Sequence, residues 1–206
     1  MLNFLSVLLK KFPSRAARTH TLSQSGHRLE SGRQPLPASV GILADIAVSC
    51  LRDQGIQGVI LDLDNTVVSE DDRYLSPYAE EWIAQAKEGG IQFFILSNGK
   101  RRYRVDYWSA RLAIPALSPA KKPFPKSFRR ALTTMGLTAD QVVVIGDSRH
   151  TDVLGAWLTG CPCIQVASLP HPPRWWERLL GKYVQTPYSL EQKLLDFHPS
   201  TYRYPS

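Results

Sequence analysis

From about Pro37 to Val166, short, largely apolar runs alternate with longer stretches whose apolar residues recur every three or four positions. The runs are 59–63, 91–96, 114–117, 141–145 and 163–166. Each has the length and β-branched content of a buried strand. The stretches between them predict helices over 77–88, 101–111, 126–135 and 152–158, and a short strand or turn followed by a helix over 38–53. Punctuation supports these limits. Ser76 is placed to cap the helix begun by Pro77, Gly89-Gly90 to stop it, and Gly55 and Gly136 to stop two others. Fully apolar strands separated by amphipathic helices imply a parallel sheet covered on both faces. The expected fold is therefore α/β, a three-layer α/β/α Rossmann-like sheet of parallel strands, without internal repeats.

Composition adds the ends to this picture. The 206 residues suit one domain with tails, and no apolar run approaches the roughly 20 residues that cross a bilayer. The net charge of +7 is uneven. Residues 1–44 hold six basic side chains against one acidic, residues 45–167 balance, and residues 168–206 carry five basic against three acidic. The expected division is a basic, flexible N-terminal segment (1–37), a catalytic body (38–170) and an amphipathic, aromatic C-terminal extension (171–206). Met1 to Phe12 is apolar with a basic end, which suits a short interfacial helix; its charges follow the apolar run, unlike a secretory signal. Residues 13–37 are rich in Arg, Ser, Pro and Gly, the composition of a disordered stretch or of an organelle transit peptide. In the C-terminal extension, Trp175 and Trp176 lie among arginines and before Leu179 and Leu180, a pattern for a lipid interface or for a terminal helix packed on the core. Three cysteines, Cys50, Cys161 and Cys163, form neither a disulfide framework nor a zinc pattern, as in a reducing compartment.

The chemistry gathers after the strands. Asp62 and Asp64 follow the run 58–61 in the hexapeptide Leu-Asp-Leu-Asp-Asn-Thr. In extended chain, residues i and i+2 project to one side, so both carboxylates can face one centre. Crowding carboxylates at the edge of a core is unfavourable unless a divalent cation offsets their repulsion. Three further segments leave strand ends or open helices: Leu96-Ser97-Asn98-Gly99, Ala120-Lys121-Lys122-Pro123, and Gly146-Asp147 with Asp152 five positions on. In open parallel sheets reactive groups collect beyond the carboxyl ends of strands.

These four segments, in this order across residues 56–167, resemble the motifs of the haloacid dehalogenase-like (HAD) phosphohydrolase superfamily. The resemblance implies a nucleophile, Asp62, that takes the phosphoryl group as an aspartyl-phosphate, and an acid/base, Asp64. It implies Mg²⁺ held by the carboxylates of Asp62 and Asp147 and the backbone carbonyl of Asp64. Ser97, Lys122 and the amides of Asn98 and Asn65 would bind the phosphoryl oxygens, Thr66 would brace the nucleophile loop, and Asp152 would hold a metal water or orient Lys122. Of the two lysines, Lys122 is the expected one because the family places it directly before proline. His150 is expected at the loop surface or the substrate edge, and Asp152 and Ser97 can alternatively be read as a helix cap and a turn residue.

HAD enzymes often carry a cap domain after the first or second motif. Here ten residues separate Thr66 from Pro77 and 24 separate Ser97 from Lys122, too few for one. No cap domain is expected. An uncovered site suits a large substrate: a protein, a nucleic-acid end or a lipid head group. The run Gly99-Lys100-Arg101-Arg102-Tyr103-Arg104 puts four cations near the mouth, for a second phosphate or as a solvated helix face. With Gly155 completing Gly-Asp-x(4)-Asp-Val-Leu-Gly, the motifs resemble the capless, class IIIA YqeG-like branch, whose relatives include phosphatidylglycerophosphate phosphatases of mitochondria and plastids. That resemblance implies an anionic phospholipid substrate at a membrane surface, no nucleic acid, an optional oligomer, and a peripheral location at the cytoplasmic face of the inner membrane or inside an organelle. The rival readings are a soluble HAD phosphatase for a nucleotide, sugar phosphate or phosphoprotein, and a binding or assembly module without catalysis.

Overall fold

The computed structural model describes residues 35–171; the expectations for residues 1–34 and 172–206, including both amphipathic ends, lie outside the described residues. Six strands form one sheet: β1 (Ser39–Val40), β2 (Gly58–Leu61), β3 (Gln92–Leu96), β4 (Ala116–Leu117), β5 (Val142–Gly146) and β6 (Cys163–Val166). Their order is β1-β6-β5-β2-β3-β4, and every pair is parallel. The helices are α1 (Val48–Asp53), α2 (Ala79–Glu88), α3 (Arg102–Leu112), α4 (Pro125–Met135) and α5 (Leu154–Thr159). A 3-10 turn, Leu43–Asp45, precedes α1, and a π turn, Arg149–Val153, leads into α5.

Strand β2 is buried at all four positions because its alternate side chains enter two cores. Val59 and Leu61 join Leu51, Trp82, Val105 and Trp108 under α1–α3. Ile60 faces the other way, with Phe94, Phe128, Ala131 and Ala156 under α4 and α5. This is the three-layer arrangement expected from the strand composition. Leu61 stands level with Ile95 of β3 and Ile145 of β5, so the strand ends that carry Asp62, Ser97 and Asp147 lie side by side. The strand order changes sense at β2, from which β3-β4 run to one edge and β5-β6-β1 to the other, and such a switch point opens a crevice above the strands. Neither gap between motifs holds an inserted domain among the described residues: 67–76 is a compact turn, and 98–121 holds α3 and β4.

One helix start differs from expectation. Helix α2 begins at Ala79 after Tyr78, whose φ of 56° is left-handed, and Ser76 provides no side-chain cap. The Ser76 N–H donates to the Val67 carbonyl, and its own carbonyl accepts from Ala79 N at 3.1 Å. Preceding a proline, Ser76 is biased away from helical geometry and terminates the 67–76 turn instead.

Gly155 lets α5 approach α4. A Cβ at this position would lie 2.3 Å from the Phe128 ring. Alanine improves helix propensity by about 1 kcal/mol, but the atoms it meets are ring carbons of a fully buried side chain. Overpacking of that kind costs about 1–3 kcal/mol. Gly155→Ala is expected to lower the urea midpoint, and Phe128→Leu in the same chain to recover much of the loss.

Candidate active site

Lys122 is the hub. It is buried, and its Nζ donates to Asp62 Oδ1 at 2.5 Å and Asp152 Oδ1 at 2.7 Å. Asn98 fixes its main chain from both sides: Lys122 N donates to Asn98 Oδ1 at 2.8 Å, and Asn98 Nδ2 donates to the Lys122 carbonyl at 3.0 Å. Lys121 is exposed with a left-handed φ of 54°, so the choice between the two lysines falls on Lys122. The Asn98 side chain braces the lysine at the wall of the cleft.

Asp62 is 5% exposed, and its Oδ2 accepts from Thr66 Oγ1 at 3.3 Å. Thr66 Oγ1 in turn accepts from Asp147 N at 3.1 Å, tying the first strand end to the third. Asp147 is held by Ser168 Oγ, donating to its Oδ2 at 2.7 Å, and by Gln165 Nε2, donating to its carbonyl at 3.0 Å. Asp152 lies fully buried beneath them in the π turn. Its Oδ2 accepts from Ser148 N and Thr151 Oγ1, both at 3.2 Å. It is not a cap residue only, because its Oδ1 belongs to Lys122. Gly146 makes the room: a Cβ there would sit 2.5 Å from the Asp152 carboxyl carbon.

Asp64 faces the other side of the centre. Its Oδ2 accepts from Ser97 Oγ at 2.7 Å, and its Oδ1 accepts from Arg104 Nη1. Gly99 sits against this pair; a Cβ would lie 2.9 Å from Ser97 Oγ and 3.1 Å from Asp64 Oδ2. Gly99 N donates to Ser97 Oγ at 2.9 Å. The Asn65 amide, one of the expected phosphate donors, is spent inside its turn on the Val68 carbonyl at 2.8 Å.

Oxygens of Asp62, Asp147 and Asp152 all lie within 4.8 Å of one another. Burial pushes the Asp62 carboxyl well above the usual carboxylate range; Lys122 opposes this, and the charges of Asp152, Asp147 and Asp64 add to it. Burial alone would push the Lys122 ammonium down, but Asp152 and Asp62 hold it above its usual value. Four carboxylates, Asp62, Asp64, Asp147 and Asp152, gather here around Lys122 and Arg104. Such crowding of carboxylates fits a divalent cation. Asp152 is committed to Lys122 and Ser148, which leaves Asp62 and Asp147 as the carboxylates best placed to hold one.

The four-cation run of the sequence separates into different roles. Arg104 is 1% exposed and donates to Asp64, to Asp72 Oδ1 through Nε, and to the Ser69 carbonyl at 2.8 Å. Arg101 donates to Asp72 Oδ2 at 3.3 Å and to the Glu70 carbonyl. Arg102 is exposed and pairs loosely with Asp106 at 3.9 Å. Lys100 stands exposed on the rim. Arg104 and Asp72 are site-supporting residues that the motif pattern missed. The available signal was the helix stripe, because Arg104 shares a face with Trp108 and Leu112 at intervals of four, which predicts burial.

A cleft of about 630 Å³ opens over these residues, with Asp62, Asp64, Lys122 and Asp147 in its wall and Lys100, Arg101 and His150 at its edge. The arrangement offers a shielded nucleophilic carboxylate, a second carboxylate beside it, and a fixed ammonium.

Residues 119–180 match a family model described as HAD-hydrolase-like. A Bacillus subtilis (strain 168) protein named "Probable phosphatase YqeG" is 42% identical over 116 residues, covering 56% of this chain and 67% of that protein. A phosphoserine phosphatase of Thermus thermophilus is 31% identical over 100 residues, covering 45% of this chain but only 40% of that enzyme. Among solved structures, the cobalt-bound deoxy-D-mannose-octulosonate 8-phosphate phosphatase of Haemophilus influenzae aligns with a TM-score of 0.45 at 17% identity, covering 64% of this chain and 77% of that one. With its four motifs assembled at one crevice and that degree of identity to YqeG, the chain belongs to the HAD-like hydrolase superfamily.

Proposed function

We propose that the protein is a Mg²⁺-dependent phosphomonoesterase that works through an aspartyl-phosphate on Asp62 and acts on an anionic phospholipid, phosphatidylglycerophosphate. The observation that carries the phosphatase reading is the Asp62 carboxylate. It is buried, anchored by Lys122 and Thr66, open to the cleft, and accompanied two residues on by a second carboxylate. A pure binding module has no use for that pair.

Asp62 attacks phosphorus as the bond to the leaving oxygen breaks, and Asp64 delivers a proton to that oxygen. Lys122 Nζ and Ser97 Oγ balance charge on the phosphoryl oxygens. Water then attacks the acyl phosphate, Asp64 takes its proton, and Asp62 and inorganic phosphate are released. The Asp62 and Asp147 carboxylates and the Asp64 carbonyl would hold a divalent cation, whose positive charge would offset the repulsion between an anionic ester and an anionic nucleophile.

Three features support the lipid. The crevice has no inserted domain over it. Residues 121–135 contain no acidic side chain, and Lys121, Lys126, Arg129 and Arg130 are exposed. Phe124, two positions after Lys122, is 67% exposed, and Tyr103 on the other rim is 37% exposed. Cations interleaved with exposed aromatic rings suit an anionic headgroup layer. No helix among the described residues is long and apolar enough to cross a membrane, so the reading is peripheral association. Water-soluble phosphate esters are the second reading, which the homology to a phosphoserine phosphatase favours.

Phosphate release from phosphatidylglycerophosphate in mixed micelles should require Mg²⁺ and exceed release from phosphoserine or phosphoglycolate. Preference for the soluble esters would replace the lipid reading. Asp62→Asn should cut turnover by at least ~10³-fold, as loss of a covalent nucleophile does, with the circular dichroism spectrum unchanged.

Charge gives a second expectation. Because the folded Asp62 carboxyl is raised, the folded state binds protons more readily than the unfolded chain. In chelator, stability should therefore fall as pH rises above the usual carboxylate range. Asp62→Asn should stabilise the chelated protein at neutral pH by ~1–2 kcal/mol, read from the urea midpoint.

For the membrane, flotation with vesicles containing anionic lipid should exceed flotation with phosphatidylcholine alone. Each of Lys126→Gln and Arg129→Gln should weaken it by about fivefold, since a basic residue near such a surface contributes ~1 kcal/mol.

A further inference from the structure

We propose that Arg104 is a positioning residue that fixes the orientation of the Asp64 carboxyl for proton transfer at the leaving oxygen. The inference rests on the phosphatase reading and concerns a residue outside the four motifs. A guanidinium has donors only. Arg104 Nη1 donates to Asp64 Oδ1, and Ser97 Oγ donates to Oδ2 at 2.7 Å. Held at both oxygens, the carboxyl has one orientation, with Oδ1 on the guanidinium and Oδ2 on the hydroxyl.

This orientation presents the acid to the cleft, whose wall includes Asp64. In the first half-reaction the Asp62 oxygen-to-phosphorus bond forms, the bond to the leaving oxygen breaks, and the Asp64 proton passes to that oxygen. In the second, Asp64 recovers a proton from the attacking water.

Arg104 can hold this post because its other donors are satisfied elsewhere. Nε donates to Asp72 Oδ1, and Nη2 donates to the Ser69 carbonyl at 2.8 Å. Asp72 gives the buried guanidinium a second carboxylate partner besides Asp64, as a buried charge requires. The helix stripe with Val105, Trp108 and Leu112 fixes the approach of the side chain.

Leaving-group dependence tests this. An activated aryl ester departs without a proton, whereas an alkyl ester needs one. The two probes are p-nitrophenyl phosphate and benzyl phosphate, similar in shape. The quantity is the kcat/KM ratio of benzyl to p-nitrophenyl ester, because kcat/KM covers the steps up to departure of the alcohol. Arg104→Met combined with Asp72→Asn removes both buried charges together, and Arg104→Lys keeps the charge but not the fork. The double variant should lower the ratio by about 10²-fold, the usual weight of a placed proton donor, and Arg104→Lys should restore part of it. A ratio within twofold of wild type, or equal losses on both esters, would overturn the assignment. Wild-type protein that releases phosphate from neither ester nor from phosphatidylglycerophosphate in micelles would overturn the phosphatase reading itself, and the assignment with it.

Discussion

The site depends on one ammonium placed between two buried carboxylates. Lys122 Nζ joins Asp62 and Asp152, residues 60 and 30 positions away in sequence, at distances of 2.5 and 2.7 Å. Burying three charges is favourable only if each is met at close range, and leaving one of them with no partner costs about 3–5 kcal/mol. The contact therefore enforces the register of three chain segments as well as their chemistry. Around it the remaining bonds follow in sequence: Asn98 holds the lysine's main chain, Thr66 bridges Asp62 to Asp147, and the empty side of Gly146 admits Asp152.

The arrangement leaves a deliberate imbalance. The carboxylates outnumber the cations, and burial drives the Asp62 carboxyl upward. A protein selected only for stability would replace such a residue, since a desolvated, crowded carboxylate weakens the fold. Its presence at the mouth of a crevice, where a divalent ion and an anionic ester can enter together, is the mark of a group kept for reactivity.

Much of this was legible in the residues. Largely apolar runs identified five of the sheet's six strands and their parallel pairing, because a strand covered on both faces has no polar side. The two-residue spacing of Asp62 and Asp64 placed both at one centre. What stayed hidden were interactions that depend on three-dimensional proximity. Arg104 was grouped with three rim cations because a run of basic residues is usually solvated. Its burial follows from its place on the helix stripe, and only the fold brings Asp64 and Asp72 to it. The Asn65 amide has the right address for phosphate, but a left-handed φ of 61° turns it into a local hydrogen bond. Ser76 resembled a cap because the residue after it resembled a first helical position. The left-handed turn at Tyr78 could not be read from composition, since tyrosine rarely adopts it.

The same hidden contacts answer a problem posed by the open crevice. Where an inserted domain closes over a site, closure can both exclude water and bring the acid into line. Here the gaps after the first and second motifs hold a ten-residue turn and a single helix and strand. Alignment of Asp64 must then come from below, and the buried face of α3 supplies it. Arg104 ties Asp64 to the main chain of the 67–76 turn and to Asp72, while Arg101 ties the same turn from the rim. A fixed acid suits a large substrate that cannot be enclosed, because orientation is achieved before the substrate arrives and does not depend on a lid. The trade is exposure to water, which the proposed hydrolysis of an aspartyl-phosphate would use.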